Sequence, residues 1–333
     1  MKKSANKKFG ALLLAIMLLG GCASGEKEKL PTPGQTPQNE SNMAEIRLPE
    51  KLEINADGTP ILSVYQVDEE EMREMDLETY LLGVLAGEMK NDWPMEALKA
   101  QAILARTFVL KFCTEKESKY TGADISTDIE EAQAYDATGV NERIEQAVKE
   151  TRGMILSYNN KELPYAWFHA HSGGMTARAE EGLNYKGGDA GYTQVTEGKE
   201  SDQAPEEARQ WEAEFTGEEM LQALKGMGIK EINEIESIEI GETGESGRAT
   251  TLLINGQSVN APDLRIALGS SKMRSTLLTG LKMQDGNIYM EGKGYGHGVG
   301  MPQWGAYGMA ESGKTAEEIV SYYFRVVKVE KIW

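Results

Sequence analysis

A chain of 333 residues is long enough to bury one large core or two packed ones. Its net charge of −18 repels nucleic-acid phosphates, and no basic patch or basic helix interrupts that balance, so nucleic acid is excluded as a partner. Without residues 1–21, which hold four lysines and no acid, the charge falls from −18 to −22, and any anionic polymer must be held by a local site.

Lys2, Lys3, Lys7 and Lys8 form a basic n-region, and residues 11–19 form an apolar stretch too short for an ordinary membrane span. It ends in Leu19-Gly20-Gly21-Cys22-Ala23, which resembles a bacterial lipobox, where a cysteine is lipidated before cleavage. Residues 1–21 are therefore expected to be a lipoprotein signal peptide. Cys22 becomes the lipidated N-terminus of an exported protein, anchored to the outer face of the cell membrane. Residues 22–45 carry Pro31, Pro33 and Pro37 among Gln, Asn and Ser, the composition of a disordered tether. Cys113 is the one other cysteine, so no disulfide is expected, and it reads as a small buried hydrophobe.

Residues 61–67 read as a strand and the acidic run 68–74 as a solvated connection. Leu77, Leu81, Val84 and Leu85 then mark one buried helix face, and the next position on that stripe is Glu88. A carboxyl group held against an apolar face has its neutral form favoured, which is how a general acid usable near neutral pH arises. The competing reading makes Glu88 a structural partner of Arg106. Asp92-Trp93-Pro94 supplies a capping group and an early proline for a second helix, whose inner face carries Leu98, Ala102, Ala105, Val109 and Phe112. Gln101 and Arg106 sit beside that face, within reach of a cavity at Glu88.

Residues 141–150 read as a helix ended by Gly153. Residues 154–158 and 165–169 read as two strands joined by a hairpin turn. Residues 184–210 are poorly patterned and read as a surface loop or insertion, followed by a helix over 211–226. Strands over 232–240 and 249–254 precede a short proline-started helix at 262–268. Gly292, Gly294, Gly296, Gly298 and Gly300 alternate with larger residues, so an extended segment would have one bare face open to a backbone or ligand. Two more helices follow, the second opened by a Thr315/Glu318 capping box, and then a closing strand at 326–329.

Four groups of residues together carry a resemblance. They are Glu88-Met89 with Glu96-Ala97-Leu98-Lys99-Ala100-Gln101-Ala102 and Ala105-Arg106-Thr107-Phe108; His169-Ala170-His171-Ser172-Gly173-Gly174; Leu264-Arg265 with Arg274-Ser275; and Gly294-Tyr295-Gly296-His297-Gly298-Val299-Gly300-Met301-Pro302-Gln303-Trp304-Gly305-Ala306. This pattern resembles the stage II sporulation protein D (SpoIID)/LytB family over about residues 60–333. The resemblance implies a peptidoglycan lytic transglycosylase acting on glycan strands stripped of stem peptides, with Glu88 as its acid/base. The family's other described role is as an enhancer of a cell-wall amidase, which would be the partner. The candidate sugar contacts are Gln101, Arg106, His169, Ser172, Tyr295, His297, Gln303 and Trp304, with Tyr135 and Trp167 as further stacking candidates; for the aromatic residues a place in the core is the equal alternative.

The middle motif departs from the family's Phe-His-Ser pattern by adding His171. No cofactor is required by the expected chemistry. Some family members bind zinc near this motif, however, and His169 with His171, joined by His297 or Cys113, is the ligand set that His-x-His spacing suggests. Ser172 beside His171 lacks the elbow of a serine hydrolase. The expected architecture is α+β, with helices around a mixed or antiparallel sheet and two lobes flanking a substrate groove, over one catalytic domain at residues 46–333. The anchor is directly testable: Cys22→Ala should abolish fatty-acid labelling and either release the protein to the medium or leave it uncleaved. A mutant labelled as strongly as wild type would refute the lipidation.

Overall fold

The computed structural model describes residues 46–159 and 161–333; the expected signal peptide, Cys22 and the tether lie outside the described residues. The chain is α+β, built from helices and several small sheets rather than around one sheet.

Helix α1 (Leu77–Glu88) begins at Asp76, whose carboxylate accepts from the Thr79 N–H, and it buries Leu77, Leu81, Val84 and Leu85 as their spacing predicts. Helix α2 (Met95–Glu115) starts at Pro94 with no side-chain cap, so Asp92 does not play the capping part expected of it. Its alanines Ala97, Ala100, Ala102 and Ala105 are buried on different sides, which lets neighbours approach closely all round. Those neighbours are α1, α3 (Glu142–Glu150), the strand Met154–Tyr158 and the helices Gln303–Glu311 and Ala316–Tyr323. The last of these opens with the Thr315/Glu318 capping box.

Pro60–Gln66 pairs antiparallel with Glu53–Ile54 and Glu71–Asp76 and parallel with Ile125–Ser126. Of the acidic run, residues 68–70 are a turn and the rest, from Glu71, is a strand rather than a connection into the helix. Its strand is exposed along most of its length, so neither face carries an apolar signal. The hairpin expected at 154–169 is also corrected. Met154–Tyr158 pairs antiparallel with Val327–Lys331, whereas Phe168–His169 pairs parallel with Met301–Pro302. Residues 184–205 form no helix or strand, yet they bury Ala190, Tyr192 and Ala204 in the core. They are an integral irregular segment rather than a surface insertion. The helix expected from residue 211 starts only at Gly217, because Gln210–Thr216 is a strand against Asn287–Lys293.

Two hydrophobic cores result, one around α2 and one formed by residues between Trp211 and Met290. The structure corrects the role expected for Arg106. It is fully buried and its Nε and a terminal nitrogen reach the Glu78 carboxylate at 3.0 and 2.7 Å. Glu78 precedes Glu88 by ten residues, roughly 15 Å along a helix, so Arg106 is neither a partner of Glu88 nor a sugar contact. The same Glu78 oxygen accepts from the Gly153 N–H at 3.1 Å and from Trp333 Nε1 at 2.9 Å. Removing one member of such a buried pair strands the other charge. Arg106→Met should therefore cost about 3–5 kcal/mol in urea denaturation. Adding Glu78→Gln should recover part of that loss, because a neutral amide oxygen still accepts from Gly153 and Trp333. An Arg106→Met protein as stable as wild type would refute the assignment.

Candidate active site

Glu88 ends α1 at the wall of a cavity of 380 Å³. Its position depends on a residue without a side chain. A Cβ on Gly87 would lie 2.7 Å from the Tyr135 nitrogen and 2.8 Å from the Ala134 carbonyl carbon. With glycine there, the segment 133–135 lies against the helix end, and the Ala134 N–H donates to Glu88 Oε1 at 2.7 Å. From the far wall, Gln303 Nε2 donates to the Glu88 backbone oxygen at 3.0 Å and approaches Oε2 at 3.4 Å. Burial pushes the carboxyl up to about 7, against the lowering effect of these two donors.

The opposite wall is made by residues 167–170 and 295–297, with Phe108, Trp167 and Phe168 as apolar lining. The glycine alternation shapes it, though not as an extended strand. Gly294, Gly296, Gly298 and Gly300 all have positive φ, a region that larger residues enter at a cost. A Cβ on Gly296 would sit 2.6 Å from His169 Cβ, and one on Gly298 would fall 2.3 Å from the guanidinium carbon of buried Arg248. The bare positions thus admit neighbouring protein at close range.

His169 and His297 both line the cavity, with ring centroids 5.5 Å apart. His169 Nδ1 lies 3.1 Å from the Val299 carbonyl, which makes it the protonated nitrogen and leaves Nε2 as a bare acceptor. His297 Nδ1 accepts from the Val299 N–H at 3.0 Å. Burial, followed by the charges of Arg265 and Arg248, holds His297 down to about 3. Burial, with His297 and Arg248 nearby, likewise keeps His169 well below its usual range. Both imidazoles are neutral near pH 7. Among the described residues, Glu88 is the one carboxyl group lining this cavity.

Several expected site residues are placed elsewhere. Gln101 is wholly buried within the packing of α2 and does not line the cavity. The hydroxyl and N–H of Ser172 are turned to Glu200, the latter at 2.8 Å. Trp304 packs 4.5 Å from Trp93 in the core, and Tyr135 lies against Tyr80 at 5.6 Å; neither faces the cavity. Tyr295 and Trp167 do face it, and the Arg274 guanidinium lies 5.2 Å over the Tyr295 ring. No residue of the second core lines the groove; Glu88 and the His169 and Tyr295–His297 segments do.

The zinc set does not assemble. The strand ends at His169, so the alternation that would align His171 is lost. His171 Nδ1 accepts from the Gly173 N–H at 2.9 Å and lies 3.7 Å from Glu200 Oε1. Cys113 is buried beside Asp124, its thiol pushed up to about 12 by burial. Among the described residues no three His, Cys, Asp or Glu side chains converge as a metal site, so this donor set does not fit a zinc ion. Sequence reasoning missed Gln133 and Ala134, because one acts through a loop whose path it did not resolve and the other through its backbone.

The comparisons with known proteins point one way. Residues 65–158 match the family described as Stage II sporulation protein, and residues 177–300 match a domain of unknown function. An uncharacterized protein of Brachyspira hyodysenteriae is 33% identical over 266 residues, covering 78% of this chain and 67% of that protein. Stage II sporulation protein D of Bacillus amyloliquefaciens is 30% identical over 290 residues, covering 80% of this chain and 78% of that protein. The amidase enhancer of Bacillus subtilis is 26% identical over 287 residues, covering 73% of this chain but 39% of that protein.

The raised Glu88 carboxyl has a thermodynamic consequence. Folding favours its proton, so its stabilising contribution is full below about pH 4.5 and lost as the pH rises through about 7. Glu88→Gln stays neutral and should be more stable than wild type at pH 8 by about 1–3 kcal/mol in urea denaturation. The two proteins should converge near pH 4. A difference independent of pH would show that Glu88 titrates normally.

Proposed function

Since the chain belongs to the stage II sporulation protein D/LytB family, we propose that it is a peptidoglycan lytic transglycosylase. Its substrate is the bond between N-acetylmuramic acid and N-acetylglucosamine in denuded glycan strands, and its product ends are 1,6-anhydro sugars. The observation that carries this reading is that, among the described residues, one carboxyl group, with its pKa raised to about 7, lines a cavity whose other lining groups are apolar or neutral.

An ordinary glycosidase needs two carboxyl groups, one as acid and one as nucleophile or base. A lytic transglycosylase needs one. Protonated Glu88 gives its proton to the glycosidic oxygen, and the C1–O bond breaks with its electron pair leaving on that oxygen. The C6 hydroxyl oxygen of the same muramic acid then bonds to C1, and the Glu88 carboxylate takes up the hydroxyl proton. No water is consumed, and the acid is regenerated. A carboxyl poised at about 7 is matched to both halves of this exchange. Gln303 and the Ala134 N–H hold it in place, while Phe108, Trp167 and Phe168 limit water. Tyr295 offers an aromatic face to a sugar.

The likeness to an amidase enhancer supports a second reading, in which the same groove binds the wall and stimulates an amidase without cleaving strands. In either case the protein would act on the wall from a lipid anchor at the outer face of the membrane.

Purified protein incubated with denuded strands in heavy-oxygen water separates the readings. The transglycosylase should form 1,6-anhydro ends carrying no heavy oxygen, and Glu88→Gln should lower that turnover roughly 10³-fold or more. Heavy oxygen at new reducing ends would mean hydrolysis. No new ends, with amidase stimulation that survives Glu88→Gln, would establish the enhancer instead.

A further inference from the structure

The cavity beside Glu88 contains two buried polar groups that the protein itself leaves unpaired. Gln133 is 2% exposed and lines the cavity, and neither its Oε1 nor its Nε2 has a hydrogen-bond partner. Its neighbour in sequence is Ala134, whose N–H holds Glu88 at 2.7 Å, so the carboxamide belongs to the segment that positions the acid. The second group is His169 Nε2, also buried and unpaired, an acceptor because Nδ1 is committed to the Val299 carbonyl. Native proteins rarely leave a whole carboxamide unsatisfied, because its desolvation is then uncompensated. Gln101 is equally unpaired but lies away from the cavity, so only Gln133 presents this vacancy where a ligand would bind.

A primary carboxamide offers a donor and an acceptor side by side, the complement of a secondary amide's carbonyl and N–H. From this we infer that Gln133 is the specificity-determining residue for the 2-acetamido group of the sugar bound beside Glu88. Its Nε2 donates to the acetyl carbonyl and its Oε1 accepts from the acetamido N–H, while His169 Nε2 accepts from a sugar hydroxyl. A sugar with a hydroxyl at C2 can supply only part of this pairing and leaves the buried amide short of a partner. The inference rests on the glycan-binding reading of the cavity and not on the cleavage chemistry, since recognition would serve an enhancer equally.

The test compares chitotetraose with cellotetraose, both uncharged and differing at C2, by calorimetric titration of the full chain in detergent. Wild type should bind chitotetraose about tenfold or more tighter, the discrimination expected when a buried polar site loses its partner. Gln133→Met, similar in size but without the amide, should weaken chitotetraose binding alone and bring the two affinities within about twofold. Its thermal melting should be equal to or higher than that of wild type, because Met removes an amide that the free protein leaves unpaired. Gln133→Asn, which keeps the carboxamide but shortens it, should retain part of the preference.

A wild type that binds both sugars equally overturns the inference, as does a Gln133→Met protein that discriminates like wild type. If neither variant melts normally, ¹⁵N-glutamine labelling of wild type decides. A side-chain amide signal that moves with chitotetraose and not with cellotetraose supports the assignment, and none doing so overturns it. Discrimination without strand cleavage supports this inference while removing the transglycosylase reading, so the two failures are distinct.

Discussion

One carboxylate ties together parts of the chain that are far apart in sequence. Glu78 accepts from Arg106 on α2, from the backbone at Gly153 and from the indole of Trp333. Burying an arginine costs several kcal/mol unless its charge is met and its donors are used. Here the other terminal nitrogen donates to the Met154 carbonyl at 2.9 Å and to the Ala102 carbonyl at 3.4 Å. The cost of desolvation is met only when α1, α2, the strand at Met154–Tyr158 and Trp333 are all in place. Glu88, three turns along α1 from that anchor, inherits its position from it.

The acid is then completed from outside its own helix. The Ala134 N–H arrives because Gly87 clears the helix end, and Gln303 arrives on the first turn of Gln303–Glu311. Neither contact brings a charge. Without a nearby cation, burial decides the balance, and the carboxyl rises towards neutrality instead of being held ionised. The histidines opposite are driven the other way by the same burial, with Arg248 and Arg265 adding to the effect. The cavity therefore separates its titratable groups into one poised acid and two neutral hydrogen-bonding rings.

The glycine alternation links this wall to the second core. Arg248 lies under Gly298 and donates to the Ser172 carbonyl at 2.6 Å and to the Met175 carbonyl at 2.8 Å. Any side chain at Gly298 would displace that guanidinium. The second core thus acts on the site through backbone it braces, and contributes no lining of its own.

Local signals carried much of the fold. The stripe of Leu77, Leu81, Val84 and Leu85, the Thr315 cap and the proline at residue 262 each mark a real element, because each is satisfied within a few residues of itself. The placement of Glu88 on an apolar face was legible for the same reason. Pairing was not. The exposed strand Glu71–Asp76 has no buried face to announce it, and Met154–Tyr158 finds its partner over 160 residues later. Arg106, Ser172 and Trp304 stand inside motifs, yet tertiary contacts turned them to Glu78, Glu200 and Trp93. The sequence alone determined most of the longer helices, the Thr315 cap, the membership of the family and the apolar setting of Glu88. Only the tertiary structure decided which polar groups face the cavity, because a side chain's partner depends on long-range packing, and periodicity reports only burial.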